Sequence, residues 1–216
     1  MMAAGGVSPV EVTFSSSNLL GTNTSTYIFT GAAPTATADD VVVVCITAGA
    51  ETRTISSVTV DGNAMSLVIA SNGAESCAIY SYAGSTDGSG DVVVTWSNGQ
   101  GRCGIGVYVL TNASDTASDT ASDVDTSGAL STTIDCPAGG AVIAMTGCRS
   151  SNDSDPAEFS WSLSAEDFDE QIEGGNDLSH TGGSEEFVAA QTSLAVTCTP
   201  NRTYASARLL VASFGA

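Results

Sequence analysis

Short runs of β-branched residues, each closed by a glycine-containing turn, constrain this chain more than any other feature of its sequence. Asp91-Val92-Val93-Val94-Thr95-Trp96 runs into Asn98-Gly99-Gln100-Gly101, and Val58-Thr59-Val60 is closed by Asp61-Gly62-Asn63. β-Branched side chains lose rotamer freedom in a helix and pack well on a pleated surface, so these runs favour strands. An Asp-Gly pair after alternating residues is a strong hairpin signal. Val12-Thr13-Phe14 and Tyr27-Ile28-Phe29 give the first strands. The unbroken apolar run Val41-Val42-Val43-Val44-Cys45-Ile46 predicts a central strand covered on both faces. Leu67-Val68-Ile69, Cys77 to Tyr82 and the turn Asp87-Gly88-Ser89-Gly90 follow. In Cys103 to Leu110 the residues Ile105, Val107 and Val109 share one face.

The second half repeats these steps more loosely. Gly139 to Met145 answers Asp39 to Ile46, Leu194 to Cys198 answers Val92 to Trp96, and Tyr204 to Phe214 answers Arg102 to Leu110. Phe159-Ser160-Trp161-Ser162-Leu163-Ser164 alternates apolar and polar, as a half-buried strand does. Two matching halves predict a duplication, or the two-fold logic of a double Greek key. Between them, Asn112 to Asp123 carries a Ser-Asp-Thr-Ala repeat of period four. A helix there would place Asp115, Asp119 and Asp123 on one face, where like charges repel, and Ser, Thr and Asp are mediocre helix formers. An exposed crossover is the expectation. Residues 1–12, small and glycine-rich before Pro9, predict a flexible N-terminal arm. The organisation expected is an arm over 1–12 and one domain over 13–216, built of halves at 13–111 and 124–216.

Charge narrows the function. There are 24 acidic residues, five arginines and no lysine, a formal net charge of −19. Nucleic acid and anionic membrane surfaces are repelled by such a chain, so neither is an expected partner. With 42% hydrophobic and 13% charged residues it is nonetheless a folding sequence. No stretch approaches the length of a membrane span, and no secretory signal is visible, so the expectation is assembly in a cytoplasm. Cys45, Cys77, Cys103, Cys136, Cys148 and Cys198 are widely spaced and sit in or beside apolar runs, which predicts buried free thiols. Sequons at Asn23, Asn112, Asn152 and Asn201 are what so much Ser and Thr produces by chance.

The candidate chemical groups are few. Glu166-Asp167-Phe168-Asp169-Glu170, with Glu173 and Asp177 nearby, offers oxygens for calcium, but a solvated acidic loop is the simpler reading. Asp87 to Asp91 reads as a hairpin turn. Tyr80, Tyr82, Tyr108, Trp96 and Trp161 lie in strand patterns, where core packing is the default and a lectin-like face the alternative. His180 is the single histidine, and no Gly-x-Ser-x-Gly elbow accompanies it. No catalytic, cofactor-binding or metal-ligating residue is therefore assigned.

Ile55-Ser56-Ser57-Val58-Thr59-Val60-Asp61-Gly62-Asn63, Gly90 to Ser97, Ile105 to Thr111 and Leu209 to Phe214 together resemble small β-sandwich proteins of tailed phages and prophages. Those are virion structural or accessory proteins. The resemblance spans most of the chain beyond about residue 38 and rests on strand patterns. It implies a role on a particle and transfers no catalytic residue.

Composition, pattern and resemblance lead to one expectation. The fold is all-β, a jelly-roll-like β-sandwich of two antiparallel sheets. The protein is not an enzyme, needs no cofactor, and is located in the virion as a capsid decoration or cement protein. Its partners would be the major capsid protein and copies of itself, a trimer at three-fold positions. The alternative is a carbohydrate-binding or adhesive module of a phage fibre or cell surface.

Overall fold

In the computed structural model, residues 8–49, 53–126, 128–150, 158–172, 177–202 and 204–216 are described; they form strands and turns with no helix. The strands make five antiparallel sheets rather than the two expected. In the first half, an inner sheet has the order β1 (Glu11–Leu20), β11 (Arg102–Thr111), β4 (Val41–Gly49), β8 (Glu75–Ala83), β7 (Ser66–Ser71). An outer sheet has the order β2 (Thr24–Phe29), β10 (Val92–Gln100), β5 (Ile55–Val60), β6 (Asn63–Ala64). In the second half the inner sheet runs β12 (Asp119–Asp125), β19 (Ser206–Phe214), β14 (Ala141–Ser150), β17 (Asp177–Glu186), β16 (Ala165–Ile172). Its outer sheet is β13 (Leu130–Cys136), β18 (Gln191–Pro200), β15 (Phe159–Trp161), and β3 (Thr35–Ala36) with β9 (Thr86–Asp87) makes a small fifth sheet.

The unbroken apolar run explains the layering. Val42, Val44 and Ile46 of β4 pack with Val58, Val60, Val92, Val94 and Trp96 of the outer sheet. Val41, Val43 and Cys45 point the other way, onto Ala141, Ile143, Met145, Leu210 and Phe214 of the other half. A third core joins Val142, Ala144, Leu209 and Val211 to Leu130, Ile134, Val196 and Cys198. Four layers result, outer–inner–inner–outer, and every residue of β4 is buried, since strands of the inner sheets need apolar side chains on both faces.

The inner sheets meet as like faces. β4 contacts β14, β8 contacts β19 and β17 contacts β11. Register fixes the correspondence, because Val41 pairs with Leu110 and Ala141 with Phe214. Exchanging the halves maps this contact set onto itself, as an approximate two-fold axis through β4 and β14 requires.

Two segments differ from expectation. Val10 is buried and its N–H donates to the Gly139 carbonyl at 2.8 Å, so residues 8–12 are fixed across the other half; residues 1–7 lie outside the described residues. The period-four repeat is not all crossover, because strand β12 starts at Asp119 and pairs with β19. In an extended strand, period four puts Asp119 and Asp123 on one face as it would in a helix. There they accept backbone N–H groups of Asp135 (2.9 Å) and Ser131 (2.8 Å), so the aspartates tie β12 to β13.

Candidate functional site

Alternation decides what the outer sheet of the first half shows to solvent. Tyr27, Phe29, Val58, Val60, Val92, Val94 and Trp96 face the core. The intervening residues Thr26, Ile28, Ser57, Thr59, Val93 and Thr95 therefore face outward. Register aligns them in two rows, Ile28–Val93–Thr59 and Thr26–Thr95–Ser57. No charge lies in either row, on a chain of net charge −19. Ile28 is 53% exposed at its edge, one of four large apolar side chains so exposed among the described residues. An uncharged surface of this kind, rich in β-branched residues, suits contact with another protein surface, since it has no charge to desolvate.

The acidic cluster forms an edge strand rather than a loop. On β16, Phe168 points inward, Glu166 and Asp169 are exposed, and Glu170 accepts a hydrogen bond from Ser17 Oγ at 2.5 Å. Asp177 is buried at the start of β17, away from that row, and Glu173 lies outside the described residues. Although its side chain reaches solvent, desolvation against the neighbouring strand pushes the Asp169 carboxyl up to about 7, helped by the charges of Glu166 and Glu158. Among the described residues no group of three or more His, Cys, Asp and Glu side chains could hold a metal ion. Asp87 shapes the expected turn, its Oδ1 accepting the N–H (2.8 Å) and Oγ–H (2.7 Å) of Ser89.

His180 is buried between the inner sheets, its ring centroid 4.6 Å from that of Phe168. Neither ring nitrogen has a hydrogen-bond partner of good geometry, and burial lowers its pKa to about 4, opposed by the Ile105 backbone. A group so enclosed cannot meet a substrate carried by solvent. Trp96, Tyr80 and Tyr108 are buried, Trp161 donates from Nε1 to Thr181 Oγ1 at 3.1 Å, and Tyr82 packs on the first core. These rings form core and offer no exposed stacking platform. All six cysteines are free and buried.

A polar cluster lies at the end of the interface between the halves. Glu75 Oε1 is 3.5 Å from Arg149 Nε, and Arg208 donates from Nη1 to Ser71 Oγ at 2.5 Å. Burial raises the Glu75 pKa, opposed by the Ser206 hydroxyl and by Arg149 and Arg208. Two of the five arginines, Arg149 and Arg208, are therefore engaged at this end of the interface.

The uncharged rows were not found from the sequence. Parity along Thr24 to Phe29 and Val92 to Trp96 separates inward from outward positions, but the register that assembles one surface is a tertiary fact. Comparison with protein-family models, with curated proteins and with solved structures finds no match for this chain.

Proposed function

We propose that this is a non-enzymatic structural protein of a tailed-phage virion, seated on the outside of the head as a decoration or cement protein. The observation that carries the reading is the uncharged outer face built on Ile28, Val93, Thr59, Thr26, Thr95 and Ser57. With 24 acidic residues against five arginines, the surface as a whole is acidic, which keeps it hydrated and repels nucleic acid. Such a protein bridges capsid subunits through the uncharged face and adds interface area against internal pressure. Its partners are the major capsid protein and copies of itself.

The strand order supports the jelly-roll reading of each half. Leaving aside the two-residue strands β3, β6 and β9, each half has an inner sheet ordered first-eighth-third-sixth-fifth and an outer sheet ordered second-seventh-fourth. This is the double Greek key of a jelly roll with its fifth strand moved inward. In the first half β6 keeps the place beside β5, and Met65 alone separates it from β7. The protein is then two jelly-roll sandwiches stacked on their inner sheets.

The test is immunogold labelling of particles of the encoding phage, together with sedimentation of the purified chain with particles stripped of it. Regular label over the head and co-sedimentation support the proposal. Label confined to the tail, or no binding to stripped heads, overturns it.

A further inference from the structure

A strand at the edge of a sheet shows unpaired N–H and C=O groups, and unless it is protected another strand can add to it. Most edges of this fold are blunted. β1 and β16 each carry a bulge, between Phe14 and Ser16 and between Glu166 and Phe168, and they lie side by side across the halves. β7 is bulged between Leu67 and Ile69. β12 carries Asp119, Asp123 and Asp125, while β6 and β15 are two and three residues long. β13 takes the place of β2 in the second half, and there the Asp123 and Asp119 carboxylates cap the Ser131 and Asp135 N–H groups.

β2 has none of this protection. It is six residues long and keeps register with β10 from Thr26 to Phe29 without a bulge. Among the described residues no strand is paired to its other side. The side chain that reaches its main chain is its own: Thr24 Oγ1 donates to the Thr26 carbonyl at 3.2 Å and accepts the Thr26 N–H at 3.3 Å. No charged residue occurs anywhere from Val12 to Ala38, on a chain of net charge −19. Ile28 is 53% exposed on this edge, where a cross-strand partner would cover it. The strand holds threonine, tyrosine, isoleucine and phenylalanine, with neither proline nor lysine, a composition that favours strand addition.

We propose that β2 is a self-association edge, pairing antiparallel with β2 of a second copy of this chain about a two-fold axis. Two chains this acidic repel, and β2 is the edge at which neither brings a carboxylate to the seam. Both copies bring the same open row, so one isologous contact satisfies both and leaves no β2 edge to grow from. Directly opposed residues of an antiparallel pair share a face. Tyr27 and Phe29 of both copies therefore stay over their cores, while Thr26 and Ile28 of both stay outward. The uncharged outer rows then run on from one copy into the other. This names the contact between copies that the reading above invokes, but it needs no capsid, and failure of head binding would leave it standing.

The experiment is sedimentation velocity of the purified full chain over a range of concentrations, with hydrogen exchange measured on the same samples. The expected result is a monomer–dimer equilibrium that tightens as salt is raised, since screening weakens the repulsion between two acidic chains. Amides of residues 24–29 gain protection in the dimer. Thr26→Lys combined with Ile28→Lys weakens the dimer about tenfold or more, although it lowers the net negative charge, because like charges then face each other across the seam. Ser131→Lys combined with Thr133→Lys makes the same charge change at exposed positions of β13 and leaves the dimer unchanged. A monomer at every concentration, growth beyond the dimer, or a dimer whose 24–29 amides gain no protection overturns the proposal, as does equal weakening by the two pairs of substitutions. The wild-type exchange measurement decides the matter even where a variant fails to fold.

Discussion

Phe168 fits against Gly106 so closely that a Cβ on Gly106 would overlap its Cε1 and Cζ atoms. Gly182, against the same two ring atoms, is equally restrictive, and its Cβ would also come within 2.9 Å of the Tyr108 hydroxyl. Gly106 belongs to the inner sheet of the first half and Gly182 to that of the second, so the ring is clamped between halves. Glycine weakens a strand, and its presence inside β11 and β17 reflects this close approach.

Gly106→Ala and Gly182→Ala are each expected to destabilise the protein by about 1–3 kcal/mol, the usual cost of overpacking. Gly101→Ala is the control, since nothing lies within 4 Å of its added methyl group. Urea unfolding should show the control unchanged. Adding Phe168→Leu to Gly106→Ala should recover part of the loss, because the two sites share one contact. Strict additivity would show that the clamp is not what the alanine disturbs.

His180 gives the inter-half core an acid sensitivity. Burial moves its pKa from 6.5 to about 4, with the Ile105 backbone pulling the other way. Between these values the unfolded chain binds a proton that the folded chain refuses, so stability falls as pH drops from 6.5 toward 4. The shift corresponds to about 3 kcal/mol at most. Asp169, with a raised pKa, acts in the opposite sense, losing its contribution as pH rises from 3.8 to about 7. Comparing wild type with His180→Leu removes the common Asp169 effect. The stability of wild type relative to the variant should decline across that window, and a constant difference would contradict a neutral buried imidazole.

Thiol chemistry should report unfolding. Burial raises the Cys77 thiol to about 12 and the Cys136 thiol to about 11. The thiolate is the reactive form, so the native protein should react negligibly with Ellman's reagent and release all six equivalents once denatured. Reductant and EDTA should leave the melting temperature unchanged.

The apolar runs were legible because their burial pattern is local. Val41 to Ile46 announces a strand covered on both faces, and the structure places it in the middle of its sheet. The glycines at 104, 106 and 147 carried no such signal, since what they touch (Leu19, His180, Phe168 and Cys77) comes from other elements. The uncharged face failed to show for the same reason. Each outward residue of β2, β5 and β10 is unremarkable alone, and only cross-strand register assembles Ile28, Val93 and Thr59 into one row.

That row makes the last prediction specific. Ile28→Asp and Val93→Asp place charge on the proposed contact face while leaving the inward residues Tyr27, Phe29, Val92 and Val94 untouched. Ile28 is already 53% exposed, so its substitution should cost the fold less than about 1 kcal/mol. A carboxylate buried against a capsid subunit without a partner costs several times more, so binding to stripped heads should weaken about a hundredfold or be lost. Thr133→Asp on β13, the matching outer strand of the second half, should bind as wild type does. If all three variants bind alike, the uncharged face is not the contact, and the second-half outer sheet and the acidic edges become the surfaces to test.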